Sequence, residues 1–277
     1  VAISRKLNQA FKDTVHFKEG LILGYPGSPP LKESSESFKK FIDLHSNNIG
    51  THTRIDSEAG WKGTQDLERE TIFMIGDLLG AKNDKDIDGY ISSGGTEGNI
   101  MGLWILRNLI RAQYRKQAVV LFTKMTHYSV KKACNVLCLN NYYVASNDTY
   151  ELDAGDLDRV IKKLSKKSNK YFVLILTLGY TVTGSYDDIA NIQKIITKLE
   201  RRYKVKIFMH IDAAHGGFIL PFFHKEPLGF NLTSVLTIAL DAHKTGLVPY
   251  SCGVFLCRKY LQKYVETDAD YLHGHFD

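Results

Sequence analysis

The sequence predicts an α/β protein built on a mostly parallel sheet with helices on both faces. Three observations carry this expectation. Short apolar runs alternate with longer amphipathic stretches, and such alternation builds βαβ units whose strands pair in parallel. The last two runs, 234–240 and 251–257, follow each other with no helix between them and are expected to pair antiparallel. At 277 residues and 44% hydrophobic, the chain can bury one large core, and a single α/β domain is the simplest count.

Taken in order, Val1–Thr14 has a mixed polar helical pattern, and Leu23-Gly-Tyr-Pro-Gly-Ser-Pro-Pro30 is the one clear Pro/Gly loop. Residues 1–60 form an N-terminal arm in this reading, ahead of a large domain over 61–277. The arm carries Leu7, Phe11, Leu21, Ile22, Leu23, Tyr25, Phe38, Phe41 and Leu44 without a sheet of its own to cover. It is expected to clasp a second subunit in a twofold homodimer, with residues around His45-Ser-Asn-Asn48 near the site, either within the subunit or across the interface. Helices are predicted near 64–79, 96–116, 128–138, 154–167 and 187–203. Strands are predicted at 88–92, 118–123, 141–146, 171–178 and 206–212, ahead of the last two.

The chemistry concentrates where strands end. Lys244 follows the apolar run Thr237-Ile-Ala-Leu and the residues Asp241-Ala-His243, while Asp212 closes an earlier strand in His210-Ile-Asp-Ala-Ala-His215. An amine that can condense with an aldehyde, and a carboxylate to hold a ring nitrogen protonated, suit pyridoxal phosphate. Ile91-Ser-Ser-Gly-Gly-Thr-Glu-Gly-Asn-Ile100 reads as a strand-to-helix turn whose glycines admit an anion to free N–H groups at the helix start. Thr96 adds a hydroxyl and is expected to cap that helix. Alone, the loop is equally an ordinary capped turn. It lacks a Walker lysine and a GxGxxG pattern, so neither ATP nor a dinucleotide is suggested. His127, in Thr126-His-Tyr-Ser129, leaves a strand on the rim where α/β sheets place ligands. A lone histidine there reads as a cap or surface residue; its place between loop and aspartate favours stacking on a ring.

Five motifs in this order carry a family resemblance: residues 92–99, 126–129, 178–189 (Leu-Gly-Tyr-Thr-Val-Thr-Gly-Ser-Tyr-Asp-Asp-Ile), 210–214 and 241–244. The chain resembles the group II pyridoxal-phosphate amino-acid decarboxylases, notably bacterial histidine, plant serine and archaeal tyrosine/aspartate decarboxylases. The resemblance implies the large domain of the fold type I transferase-like enzymes. It implies that Lys244 carries pyridoxal 5'-phosphate, that Asp212 pairs with its ring nitrogen and that His127 stacks on the ring and touches the substrate. Gly95, Thr96 and His243 would hold the phosphate, and Ala214 would pack on the opposite ring face. The implied reaction is decarboxylation of an L-amino acid to the amine and carbon dioxide. A carbon–carbon lyase of the sphingosine-phosphate type shares most of these motifs, and a non-catalytic or truncated paralogue is the contrasting class. Two positions depart from the pattern: Tyr180 stands where the family has threonine, and Ala242 where it often has proline. Relatives continue into a smaller C-terminal domain, and since the sequence stops at Asp277 the expectation is that the chain either is a fragment or lacks that domain. Replacing Lys244 is expected to spare the fold, since an exposed pocket lysine contributes little stability.

Composition narrows the rest. No apolar run approaches the ~20 residues of a membrane span and no signal peptide is visible, so a cytoplasmic enzyme is expected. Cys134 and Cys138, one helical turn apart, read as reduced core thiols rather than zinc ligands, and no metal site is expected. The net charge of +6 raises nucleic acid as a partner. The basic residues, however, gather in Lys162–Lys170 at a helix end, where they complement the dipole and face solvent, and no nucleic-acid motif accompanies them.

Overall fold

A computed structural model describes residues 2–13, 28–44, 46–50, 53, 56–83, 86–167, 169–269 and 274–276. Leu21, Ile22, Leu23, Tyr25 and His45 lie outside the described residues, as does most of the Pro/Gly loop. Two N-terminal helices, α1 (Ala2–Asp13) and α2 (Lys32–Lys39), precede α3 (Lys62–Leu78). Strands and helices then alternate: β1 (Ile87–Ser92), α4 (Gly95–Tyr114), β2 (Val119–Thr123), α5 (Tyr128–Val136), β3 (Asn140–Val144), α6 (Ala154–Ser165), β4 (Tyr171–Thr177), α7 (Ile189–Tyr203) and β5 (Lys206–Asp212). A short α8 (Leu220–Phe223), β6 (Val235–Asp241) and β7 (Gly253–Arg258) follow, with β8 (Thr267–Ala269) and β9 (Gly274–Phe276) as a separate small ribbon.

The main sheet has seven strands in the order β1-β7-β6-β5-β4-β2-β3. Its members from β3 to β6 run parallel, and β7 runs antiparallel to both β6 and β1. The predicted strands all form, with bounds shifted by a few residues at most. Alternation along the strands divides the core into two layers. Val119, Leu121, Phe172, Leu174 and Leu176 face one cluster with Ile72, Leu157, Ile161, Ile192 and Ile196. Their neighbours Val120, Phe122, Val173 and Ile175 face the other, with Leu103, Leu106, Leu109, Val130 and Ala133. Helices therefore cover both faces, α3, α6 and α7 on one and α4 and α5 on the other, because a period-2 strand must bury each side separately.

Four expectations are corrected. Thr96 does not cap α4: the N-cap is Gly94, which makes no side-chain bond, and Thr96 lies inside the first turn. Glu97 serves the helix entry instead, accepting from Ser93 N at 2.8 Å and Ser93 Oγ at 2.6 Å. Cys138 is exposed rather than in the core, because α5 ends at Val136 and Cys138 takes a left-handed φ of 53° beyond it; Cys134 is buried. Lys244 is not an exposed lysine, as its contacts below show. Of the two placements expected for residues 46–48, the one within the subunit does not hold: Ser46, Asn47 and Asn48 are exposed and do not line the cavity described next.

Candidate active site

The ends of β1, β4, β5 and β6 converge on one cavity of about 300 Å³. Its walls contain Lys244, His127, Asp212, Gly95, Thr96, Ala214 and His243, so all seven residues singled out in the sequence face one space. Asn99, Tyr180, Thr181, His215 and Asp241 line it as well.

The turn from β1 into α4 is shaped by close approach. Gly94 has φ 157° and ψ 175°, a region open essentially to glycine alone, and a Cβ on Gly253 would meet its Cα at 2.5 Å. The antiparallel pairing of Ser92 with Gly253 thus presses β7 against the glycine turn. Across it, Asp241 Oδ1 accepts from Gly95 N at 2.5 Å and Oδ2 lies 2.9 Å from Lys244 Nζ. His243 is fixed by the backbone of Cys252, its Nδ1 lying 2.7 Å from the carbonyl oxygen, and stands edge-on to Tyr250.

Asp212 is 3% exposed at the end of β5. Its Oδ1 accepts from Ala214 N at 3.2 Å and its Oδ2 from Asn99 Nδ2 at 2.9 Å. Burial pushes its carboxyl above the ordinary range, opposed first by the Asn99 hydrogen bond. A desolvated carboxylate of this kind favours a cation placed against it. His127 is the N-cap of α5; its Nδ1 lies 2.8 Å from Ser129 Oγ and accepts from Ser129 N at 3.4 Å. It is therefore both a cap and a wall of the cavity, two readings that had stood as alternatives. Burial lowers its pKa, so the neutral imidazole is favoured despite nearby Asp212.

Behind this wall lies His210, fully buried in β5, with Nδ1 2.8 Å from Thr237 Oγ1 and Nε2 2.8 Å from Asn99 Oδ1. Gly102 makes room for the ring: a Cβ there would meet His210 Nδ1 at 2.4 Å. Tyr180, the departure from the family pattern, turns its hydroxyl to Asp187 Oδ2 at 2.9 Å and Thr123 Oγ1 at 3.3 Å. The neighbouring Thr181 hydroxyl lies 3.4 Å from His215 Nε2. Ala242 is buried in the apolar core beside the site.

Sequence reasoning missed Asp241 and Asn99. Asp241 offered the same signal as Asp212, since each is the last residue of a parallel strand. Asn99 stood in the quoted loop, one helical turn beyond Gly95, on the side of α4 that meets the sheet.

The residues fit pyridoxal phosphate by their chemistry: an amine, a buried carboxylate and flanking imidazoles share a cavity with a glycine turn opening a 20-residue helix. A phosphate at that turn would compete with Asp241 for the N–H of Gly95. Residues 57–277 match the pyridoxal-dependent decarboxylase conserved domain. The chain belongs to this family. It is 31% identical over 276 residues to a tryptophan decarboxylase of Clostridium sporogenes, covering 94% of this chain and 64% of the relative. It is 32% identical over 275 residues to an L-aspartate/L-glutamate decarboxylase of Pyrococcus horikoshii, covering 97% and 64%. The chain thus spans a little under two thirds of these relatives. In fold it is similar to the glutamate decarboxylase domain of a Vibrio parahaemolyticus diaminobutyrate-pyruvate transaminase and L-2,4-diaminobutyrate decarboxylase. That match has a TM-score of 0.80 at 22% identity and covers 95% of this chain and 58% of the other. A sphingosine-1-phosphate lyase from Burkholderia pseudomallei matches with a TM-score of 0.77 at 18% identity, covering 99% and 62%. Pyridoxal phosphate is the cofactor of this family.

Proposed function

We propose that the protein is a carboxy-lyase that converts an L-amino acid to its amine and carbon dioxide with pyridoxal phosphate. The observation that carries this reading is Lys244 and the buried carboxylate of Asp212 facing one cavity at the glycine turn. When bound, the cofactor supplies an electron sink for the pair left as the Cα–carboxylate bond breaks. Lys244 supplies the amine that anchors it. Asp212 would hold a proton on the ring nitrogen, Ala214 and His127 would flank the ring, and Gly95, Thr96 and His243 would hold the phosphate. His127 also receives the substrate carboxylate.

Residues 1–60 act as an arm ahead of the large domain 61–277, anchored where Ile49 is buried and Thr53 donates to Gly89 O at 2.8 Å. The arm's partner is a second copy of the chain. In support, Ile3, Leu7 and Phe11 repeat along α1 at 64–76% exposure, and Phe38, Phe41 and Leu44 are exposed near α2. Among the described residues no helix is long and apolar enough to cross a membrane, and a cytoplasmic setting suits the free thiols Cys134, Cys138, Cys252 and Cys257.

The deciding assay offers the protein a panel of L-amino acids and a phosphorylated sphingoid base. Carbon dioxide release supports the reading. Release of a long-chain aldehyde instead favours the carbon–carbon lyase, and release of neither by cofactor-loaded protein favours a non-catalytic paralogue.

A further inference from the structure

The side chain of Asn99 stands between the two groups assigned to the ring, and its hydrogen bonds have a forced direction. His210 is fully buried, and burial drives its pKa down to about 3, so the ring is neutral. Asn99 turns its Nδ2 toward Asp212 Oδ2, 2.9 Å away, and an amide nitrogen can only donate, so the carboxyl oxygen accepts. Oδ1 therefore faces His210, whose Nε2 must donate across 2.8 Å while its Nδ1 accepts from the Thr237 hydroxyl. The second hydrogen of Asn99 Nδ2 goes to Ser129 Oγ at 2.9 Å. Having accepted there, the Ser129 hydroxyl sends its own hydrogen to His127 Nδ1 at 2.8 Å, and the backbone N–H of Ser129 points at the same nitrogen. Nδ1 of His127 is thus an acceptor, and its proton sits on Nε2.

We propose that Asn99 is a positioning residue that sets both proton positions at this site, keeping Asp212 an unprotonated carboxylate and His127 an Nε2–H donor toward the substrate. Only a primary amide provides two hydrogens on one atom while its other atom accepts. A carboxylate or a hydroxyl at position 99 cannot satisfy Asp212 and Ser129 together. The consequence for catalysis rests on the decarboxylase reading above: a neutral Nε2–H donor engages the substrate carboxylate without the ion pair that would stabilise it against leaving.

The test is ¹⁵N NMR of the full chain with labelled histidine, recorded with and without pyridoxal phosphate, with a His127→Gln spectrum identifying the His127 signals. The expected result is a pyridine-type Nδ1 and a pyrrole-type Nε2 in both states. In Asn99→Asp, whether the two carboxylates share a proton or not, the oxygen facing Ser129 can only accept from it. Ser129 then turns away from His127, and a shift toward the Nδ1–H form is expected. Ser129→Ala leaves Nδ1 with the backbone contact alone, and a mixture of the two forms is expected. A pyrrole-type Nδ1 in the unmodified chain overturns the proposal, and so does an unaltered His127 in both folded variants. A chain that shows the stated tautomer yet takes up no pyridoxal phosphate overturns the functional reading and leaves the tautomer assignment standing.

Discussion

Lys244 Nζ lies 2.9 Å from Asp241 Oδ2, and both side chains are shielded, 12% and 6% exposed. The anchoring amine is thus half of a largely buried ion pair. Lys244→Ala should lose the cofactor fixed by borohydride reduction and, in addition, destabilise the fold by roughly 3 kcal/mol, because Asp241 is left buried without its cation. Urea denaturation of the cofactor-free chain checks this, and adding Asp241→Asn should recover part of the loss. An unchanged midpoint would show that the pair contributes nothing.

Asp212→Asn should retain cofactor uptake and lose turnover by roughly a hundredfold or more, since a neutral amide no longer stabilises charge on the ring nitrogen. Equilibrium binding and steady-state kinetics on the same preparation separate the two effects. Turnover within a few-fold of the original would remove Asp212 from its assigned role.

His210 makes stability depend on acid. Burial lowers its folded pKa to about 3, below the ordinary histidine value of 6.5, so between these values the unfolded chain binds a proton that the folded chain does not. Stability is therefore fully present above pH 6.5 and falls as the pH is lowered, by about 2 kcal/mol at pH 5 from this group. Asp187 runs the other way. Burial raises its carboxyl to about 6, and its contribution is lost as pH rises from 3.8 through that value. The difference in unfolding free energy between the unmodified chain and His210→Gln, followed from pH 7 to pH 4.5, isolates the histidine. A difference that does not vary with pH would show that His210 is protonated alike in both states.

Gly102→Ala should cost about 2 kcal/mol by overpacking, because the added methyl meets a buried imidazole that has no room to retreat. Thermal unfolding measures it, and a fully stable variant would show that the ring can move.

Light scattering at micromolar concentration should report a dimer, and Leu7→Glu with Phe11→Glu should shift it toward monomer without altering the visible absorbance of bound cofactor. A monomer that binds cofactor equally well before any substitution would leave the arm without its assigned role.

Much of this architecture was legible because strands buried on both faces announce themselves as apolar runs, and strand ends are where α/β folds expose chemistry. Lys244, Asp212 and His127 all stand at such ends. What the chain did not announce was pairing between distant segments. Nothing local in Ile87–Ser92 says that it lies beside β7 rather than β2, so the closeness of Gly94 to Gly253 was out of reach. Asn99 was hidden for a related reason: its partners His210, Asp212 and Ser129 come from two other parts of the chain. Thr96 misled because it is a good capping residue in the right neighbourhood, while the close approach of backbones hands the cap position to Gly94.

The place of β7 between β1 and β6 also orders events during synthesis. Until residues 253–258 have emerged, the strand bearing the glycine turn and the strand leading to the lysine each carry an open edge, with a strand-wide gap between them. Such edges invite pairing with other chains, so the nascent protein is most exposed to aggregation just before this segment leaves the ribosome. The two halves of the site, separated by about 150 residues of chain, become neighbours in one late step. A chaperone that shields the growing sheet would have most to protect over that interval.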